Sequence, residues 1–152
     1  MAIYHFNAKL ISRGLSTGVN AVAAAAYRSG SRLKCLRTGL THNYCRKREV
    51  TSCSILAPAN SPSWVHDRAQ LWNTVESGEN RVNSQLAREI VLGIPIELTS
   101  ESRSTLLDGF VREAFVSLEM VADYAIHDKA GNCEWRGIGS QRGGAKGSQS
   151  IA

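Results

Sequence analysis

The run from Val19 to Ala26 limits this chain more than any other stretch, because it holds five alanines and two valines. Alanine is the strongest helix former, and side chains this small let a helix lie close against a sheet. Tyr27, Arg28 and Ser29 follow, and Gly30 is suited to the left-handed conformation that ends a helix. Tyr27 is therefore expected in the last turn, beside a cation. A phenol fixed there is a candidate nucleophile toward phosphate. Packing is the more ordinary role of a lone tyrosine, and one tyrosine makes no motif.

Charge points to the class of partner. Residues 1–48 contain no Asp or Glu and nine Lys or Arg, whereas residues 49–132 carry six basic and twelve acidic side chains. A net charge of +5 segregated in this way suits a partner made of phosphates. An ordinary solvated basic surface is the plainer reading. Arg28, Arg32, Lys34, Arg37, Arg46, Lys47 and Arg48 are the candidate DNA contacts, and Tyr44 lies among the last three. Cations interleaved with an aromatic suit single-stranded nucleic acid, where phosphates pair and bases stack. At 152 residues the chain is long enough for one domain with its own core. It has no apolar run of membrane-spanning length and no secretory pattern at its start, so a cytoplasmic protein without membrane contact is expected. Cys35, Cys45, Cys53 and Cys133 form no Cys-x-x-Cys pair and are read as free thiols rather than, with His42, a zinc site.

Residues 2–11 alternate, with Tyr4, Phe6, Ala8 and Leu10 on one face, and predict a half-buried strand. Ser16 or Thr17 is the expected cap of the alanine helix. Arg37 to Thr41 reads as the turn of a short hairpin, and Thr51 to Leu56 as another strand. Ser61-Pro62 reads as a helix start, with Trp64, Leu71, Trp72 and Val75 on the buried face and Gly78 at the end. Residues 85–94 predict a buried strand whose Glu89 is a salt-bridge partner or a metal-proximal carboxylate. Thr99 or Ser100 caps a helix with a stripe from Leu106 and Leu107 to Leu118. After Met120 the period becomes two, with Ala122, Tyr124 and Ile126 on one face and Asp123 and His127 on the other. The last twenty residues hold five glycines and three serines without alternation, and they read as a flexible tail.

Six segments occur together in order: Ala-Ile-Tyr-His-Phe-x-Ala-Lys at 2–9, Ala-Ala-Ala-Ala-Tyr-Arg-Ser-Gly at 23–30, Ile-Leu-Ala-Pro at 55–58, Leu-Ala-Arg-Glu-Ile at 86–90, Pro-x-Glu-Leu at 95–98 and Ala-Asp-Tyr-Ala-Ile-His-Asp at 122–128. In these the chain resembles the N-terminal nicking domain of MobA/MobL-type plasmid mobilisation relaxases over residues 1–132. The resemblance implies an α+β fold, an antiparallel sheet flanked by helices like that of rolling-circle initiators. It implies site-specific nicking of single-stranded DNA at an origin of transfer during conjugation, with accessory mobilisation proteins and a coupling protein as partners. By position Tyr27 matches the nucleophile that becomes attached to a 5′ phosphate, leaving a 3′ hydroxyl. His127 matches the first of three histidines that hold a divalent metal, Mg²⁺ or Mn²⁺, on the scissile phosphate.

The pattern then breaks. Where the family has Pro-His-x-His after Gly131-Asn132, this chain has Cys133-Glu134-Trp135-Arg136, and no histidine follows His127. Val91 stands where relatives often carry a second glutamate. Two of three ligands are absent, and Glu134 offers at most one oxygen in their place, which counts against metal-dependent nicking. The expectation is a domain over 1–132 that lacks its last central strand, followed by a tail over 133–152 produced by a shift of reading frame or by genuine divergence. The alternative function is a catalytically inactive single-stranded DNA binder.

Overall fold

Caps and breakers set the element boundaries. The computed structural model describes residues 5–12, 20–78, 85–130 and 132–140. Within them the chain runs β1 (Phe6–Ser12), α1 (Ala21–Ser29), β2 (Arg32–Lys34), β3 (Thr41–Asn43), β4 (Val50–Leu56), a 3-10 turn (Ser63–His66), α2 (Arg68–Ser77), β5 (Gln85–Ile94), α3 (Ser100–Ala114), a second 3-10 turn (Val116–Leu118), β6 (Val121–Lys129) and β7 (Asn132–Ser140). The caps differ in detail from expectation. Asn20 caps α1, its side chain accepting from Ala23 N–H, while Ser16 and Thr17 lie outside the described residues. Asp67 caps α2, because Pro62 and the residues after it form only the 3-10 turn. Thr99 caps α3 as expected, and Gly30 ends α1 in the left-handed region at φ 63°.

The five-stranded sheet has the order β1-β5-β7-β6-β4, and every pairing in it is antiparallel. β2 and β3 form the expected hairpin, with Gly39 in its turn. Each face of the sheet carries its own core. On one face Ala21, Val22 and Ala25 of α1 pack with Leu71, Trp72 and Val75 of α2 against Ile11, Ala87, Val121 and Ile138. On the other, Leu107, Val111 and Phe115 cover Ala122, Tyr124, Ile126 and Trp135. β6 is sandwiched between the layers, so both of its faces are buried from Val121 to His127.

β7 overturns the expectation of a missing central strand. Residues 132–140 pair with β5 on one side and β6 on the other, in the middle of the sheet. The domain thus continues past 132, and residues 133–140 are no tail. Their pattern hides the strand because one face of it reads Trp135, Gly137, Gly139. The Trp135 indole lies over Gly137 so closely that a Cβ there would stand 2.1 Å from Trp135 Cη2. One large ring and one absent side chain together fill the space that two medium apolar residues would otherwise share. Gly137→Ala is therefore expected to destabilise the fold by about 1–3 kcal/mol, through overpacking against a buried indole. Gly139→Ala, whose Cβ would press only on the flexible end of Met120 at 3.1 Å and meet Phe115 and Val121 O at ordinary contact distances of 3.6 and 3.8 Å, should cost clearly less. Urea titration of the two variants beside the parent gives the comparison.

β1 also departs from expectation. Tyr4 lies outside the described residues, and Phe6 and Leu10 are about half exposed at 52% and 49%. β1 is an edge strand, and on this face the apolar cluster under α3 ends at Ile90 and Leu92 of the neighbouring β5. Leu106 of the expected stripe, and Leu118, which falls in the second 3-10 turn, also stay exposed, while Leu107 and Val111 are buried.

Candidate functional site

The end of α1 meets the sheet at two anchors. Arg28 turns inward, 8% exposed, and its guanidinium pairs with the buried Glu89 of β5, while its Nη1 donates to Ala24 O at 2.8 Å. Its backbone carbonyl accepts from His127 Nε2 at 2.8 Å. Arg28 was expected to face DNA. It instead ties the helix end to the sheet, and Glu89 serves as its salt-bridge partner, with Lys9 at 3.5 Å on the outer side. Between these anchors the backbone of the last turn is held in place, and the neighbouring Tyr27 projects outward, 40% exposed.

Tyr27 is gripped from the segment that joins β3 to β4. Lys47 Nζ sits 3.5 Å from the centroid of the Tyr27 ring and donates to Tyr27 O at 3.2 Å. Tyr44 meets the ring edge-on at 5.3 Å. A cation over a phenol face is an attractive contact, and it puts a positive charge against the ring of the candidate nucleophile. Lys47 also pairs with Glu49 at 3.3 Å, so it is an internal contact of the site more than a free cation. Among the other expected DNA contacts, Arg32, Lys34, Arg46 and Arg48 are exposed. Arg37 pairs with the buried Glu76 of α2 at 3.0 Å.

His127, Glu134 and Arg136 share the face of the sheet that α1 and α2 cover. His127 stands opposite Glu134, and Arg136 lies two residues further along β7. Burial holds the His127 imidazole below its usual pKa, partly offset by the bond to Arg28 O, with Lys47 and Arg136 pushing the same way as burial. Burial thus favours the neutral form of the ring. Glu134 Oε2 accepts from Arg136 Nη2 at 2.7 Å and Nε at 3.1 Å, and its Oε1 accepts from Asn132 at 2.9 Å. Those bonds hold the Glu134 carboxyl below the ordinary range against the opposing effect of burial.

These residues do not fit a divalent metal. The nitrogen of His127 nearest α1 donates to a carbonyl, the carboxylate opposite is engaged by a guanidinium, and the next position on that face is a fixed cation. Among the described residues no group of three His, Cys, Asp or Glu side chains is placed to hold a metal ion. The four cysteines are free, as expected, with Cys35 and Cys133 buried. Further along the same face, Asp123 accepts from Arg68 Nε and Nη2 at 2.7 and 2.8 Å and from Trp72 Nε1 at 2.8 Å. That network fixes α2 to β6. It was not anticipated from the sequence, although Asp123 and His127 were placed on one face.

The helix end that bears Tyr27 is docked on the strand histidine His127, and comparison with known proteins places a domain of this fold in the relaxase class. It is similar to a solved structure described as "Molecular Basis of Vancomycin Resistance Transfer in Staphylococcus aureus", with a TM-score of 0.84 and 31% identity over 99% of this chain and 80% of that one. A sequence model of the MobA/MobL family matches residues 20–135, and the chain belongs to that family. Relatives include a "Mobilization protein MobL" of Acidithiobacillus ferridurans, 42% identical over 84% of this chain, and a "Conjugal transfer protein TraA" of Rhizobium radiobacter, 36% identical over 87% of it. The chain spans 32% of the length of the first and 13% of the second. Among the described residues no helix is long and apolar enough to cross a membrane.

Proposed function

We propose that this domain binds single-stranded DNA in plasmid mobilisation and does not nick it by the metal-dependent route. The observation that carries this reading is the placement of exposed Arg46 and Arg48 in the same segment that brings Lys47 and Tyr44 to the Tyr27 ring. Exposed cations there meet phosphates beside an aromatic pair. The acid-free N-terminal third supplies Arg32 and Lys34 as further contacts. Membership of the family supports an origin of transfer as the DNA, with accessory mobilisation proteins and a coupling protein as partners.

The test is fluorescence anisotropy with a labelled single-stranded oligonucleotide over a range of salt. Binding should weaken steeply as salt rises. Arg46→Ala/Arg48→Ala should bind more weakly and flatten the salt slope by about 1.4, because each phosphate paired on a single strand adds ~0.7 to it. Absence of salt-dependent binding by the parent chain would sink the proposal.

A second reading is favoured by the exposure of Tyr27 under Lys47: the phenol still attacks a phosphodiester. Incubation with oligonucleotide and Mn²⁺, followed by denaturing electrophoresis, tests it. A covalent adduct that disappears in Tyr27→Phe would establish nicking, and absence of any adduct leaves binding alone.

A further inference from the structure

We propose that Arg136, fixed by Glu134 beside His127, is a phosphate-binding group that makes single-strand binding by this domain independent of divalent metal. The inference rests on the single-strand-binding reading above and names the group that serves it on the sheet itself.

The register places no carboxylate directly opposite Arg136, and the diagonal carboxylates Glu89 and Asp123 are already taken by Arg28 and Arg68. Its cross-strand neighbours are Ala125 on β6 and Val91 on β5, one small and both uncharged. The guanidinium therefore turns along its own strand to Glu134, where Nε and Nη2 share a single carboxylate oxygen. Nη1 takes no part in that pair. A planar guanidinium has five donors in a rigid fork, so one held by two of them presents the rest in a set direction. The side chain is 24% exposed, which leaves it within reach of a ligand.

The surroundings select an anion over a cation. Lys9 stands on β1 with its side chain 61% exposed, and Lys129 on β6 with its side chain 59% exposed. The carboxylates nearby are engaged: Glu89 by Arg28 and Lys9, Glu49 by Lys47 and Lys129, and Glu134 by Arg136. A divalent ion approaching His127 would find Glu134, the carboxylate opposite, already bound to the Arg136 guanidinium and would have to displace it. A phosphodiester oxygen meets guanidinium donors, which bind phosphate strongly through charge-assisted hydrogen bonds. The place where a metal would neutralise phosphate charge thus holds a positive charge that belongs to the protein.

The experiment measures binding of a fluorescein-labelled oligo-dT strand to the full chain, in EDTA and in Mn²⁺, for the parent, Arg136→Ala, Arg136→Gln, Arg136→Lys and Glu134→His/Arg136→His. The parent should bind equally well in EDTA and in Mn²⁺. Arg136→Ala should bind about tenfold more weakly, as expected for loss of hydrogen bonds to a charged group, with a salt slope flatter by about 0.7. Arg136→Lys should keep the slope. Glu134→His/Arg136→His, which restores imidazoles on this face, should bind better in Mn²⁺ than in EDTA and should gain thermal stability on adding Mn²⁺, a shift the parent should not show. Thermal melts of each variant separate loss of binding from loss of fold, and Arg136→Gln, which removes the charge but keeps a polar side chain and should weaken binding and flatten the slope as Arg136→Ala does, carries the test if Arg136→Ala unfolds. Parent binding abolished by EDTA overturns the inference. So does a folded Arg136→Ala with unchanged affinity and slope, which would leave single-strand binding standing. A parent that binds no oligo-dT even at low salt overturns both the inference and the reading beneath it.

Discussion

A chain cut after Gly131 is expected to lose cooperative unfolding altogether. The cut removes β7, which lies between β5 and β6 and hydrogen-bonds to both. Two interior strands would then become edges, each with a row of unpaired backbone groups open to aggregation. The cut also takes buried side chains from both cores, Ile138 from the α1 layer and Trp135 with Cys133 from the α3 layer, each 1% exposed. Truncating a buried tryptophan costs about 3–5 kcal/mol and an isoleucine about 2–5 kcal/mol. A whole domain is stable by only about 5–15 kcal/mol, so these two losses approach the total before any backbone pairing is counted. Urea titration followed by circular dichroism is the measurement, and a chain ending at Ser140, which keeps every pairing described above, is the control. A cut chain with the parent's midpoint would show that β7 is dispensable.

β7 is also where reading the sequence failed, and the reason is physical. Strand patterns are recognised by apolar residues at every second position. In Trp135, Gly137, Gly139 the indole covers its neighbour's space, and the glycine that makes this possible reads as a breaker. The pairing partners supply the order that the segment's own composition does not. Whatever the history of the codons after 132, residues 133–140 belong to a strand. Elements that carry their own signal were legible. β5 spans the expected residues 85–94, α3 begins after Thr99, and β6 alternates between two cores. β1 was legible as a strand but not in its burial, since an edge position depends on how far a helix from elsewhere in the chain reaches.

The site divides in the same way. Tyr27 at the end of an alanine helix, and His127 with Asp123 on one face of a strand, follow from local periodicity. The inward turn of Arg28 does not, because its partner Glu89 comes from a strand far along the chain. A cation beside a candidate nucleophile reads as a ligand contact until a buried carboxylate is known to lie beneath it. Glu134 and Arg136 were visible as departures from a pattern. That they stand on the face of His127 required the register of β7.

The Arg28–Glu89 pair yields the second large effect. Glu89→Ala is expected to cost about 3–5 kcal/mol, the range for removing one partner of a buried ion pair. The cost arises because Arg28, its side chain 9% exposed, would be left with an uncompensated charge under α1. Lys9 adds little, since its side chain is 61% exposed and its interaction is screened by water. Two mutants separate the charge from the packing. Arg28→Met/Glu89→Leu removes both charges and fills similar volume, and it should recover most of the stability lost in Glu89→Ala, since a well-packed apolar pair commonly matches a buried ion pair. The double variant keeps the Arg28 backbone carbonyl, and with it the bond from His127, so α1 should stay docked. Chemical denaturation of the parent, single and double variants gives the comparison. Recovery in the double variant would assign the pair to holding the end of α1 in place, with Tyr27 carried on it. If the double variant were as unstable as Glu89→Ala, the shape of the charged pair, not its neutralisation, would be what the helix end requires.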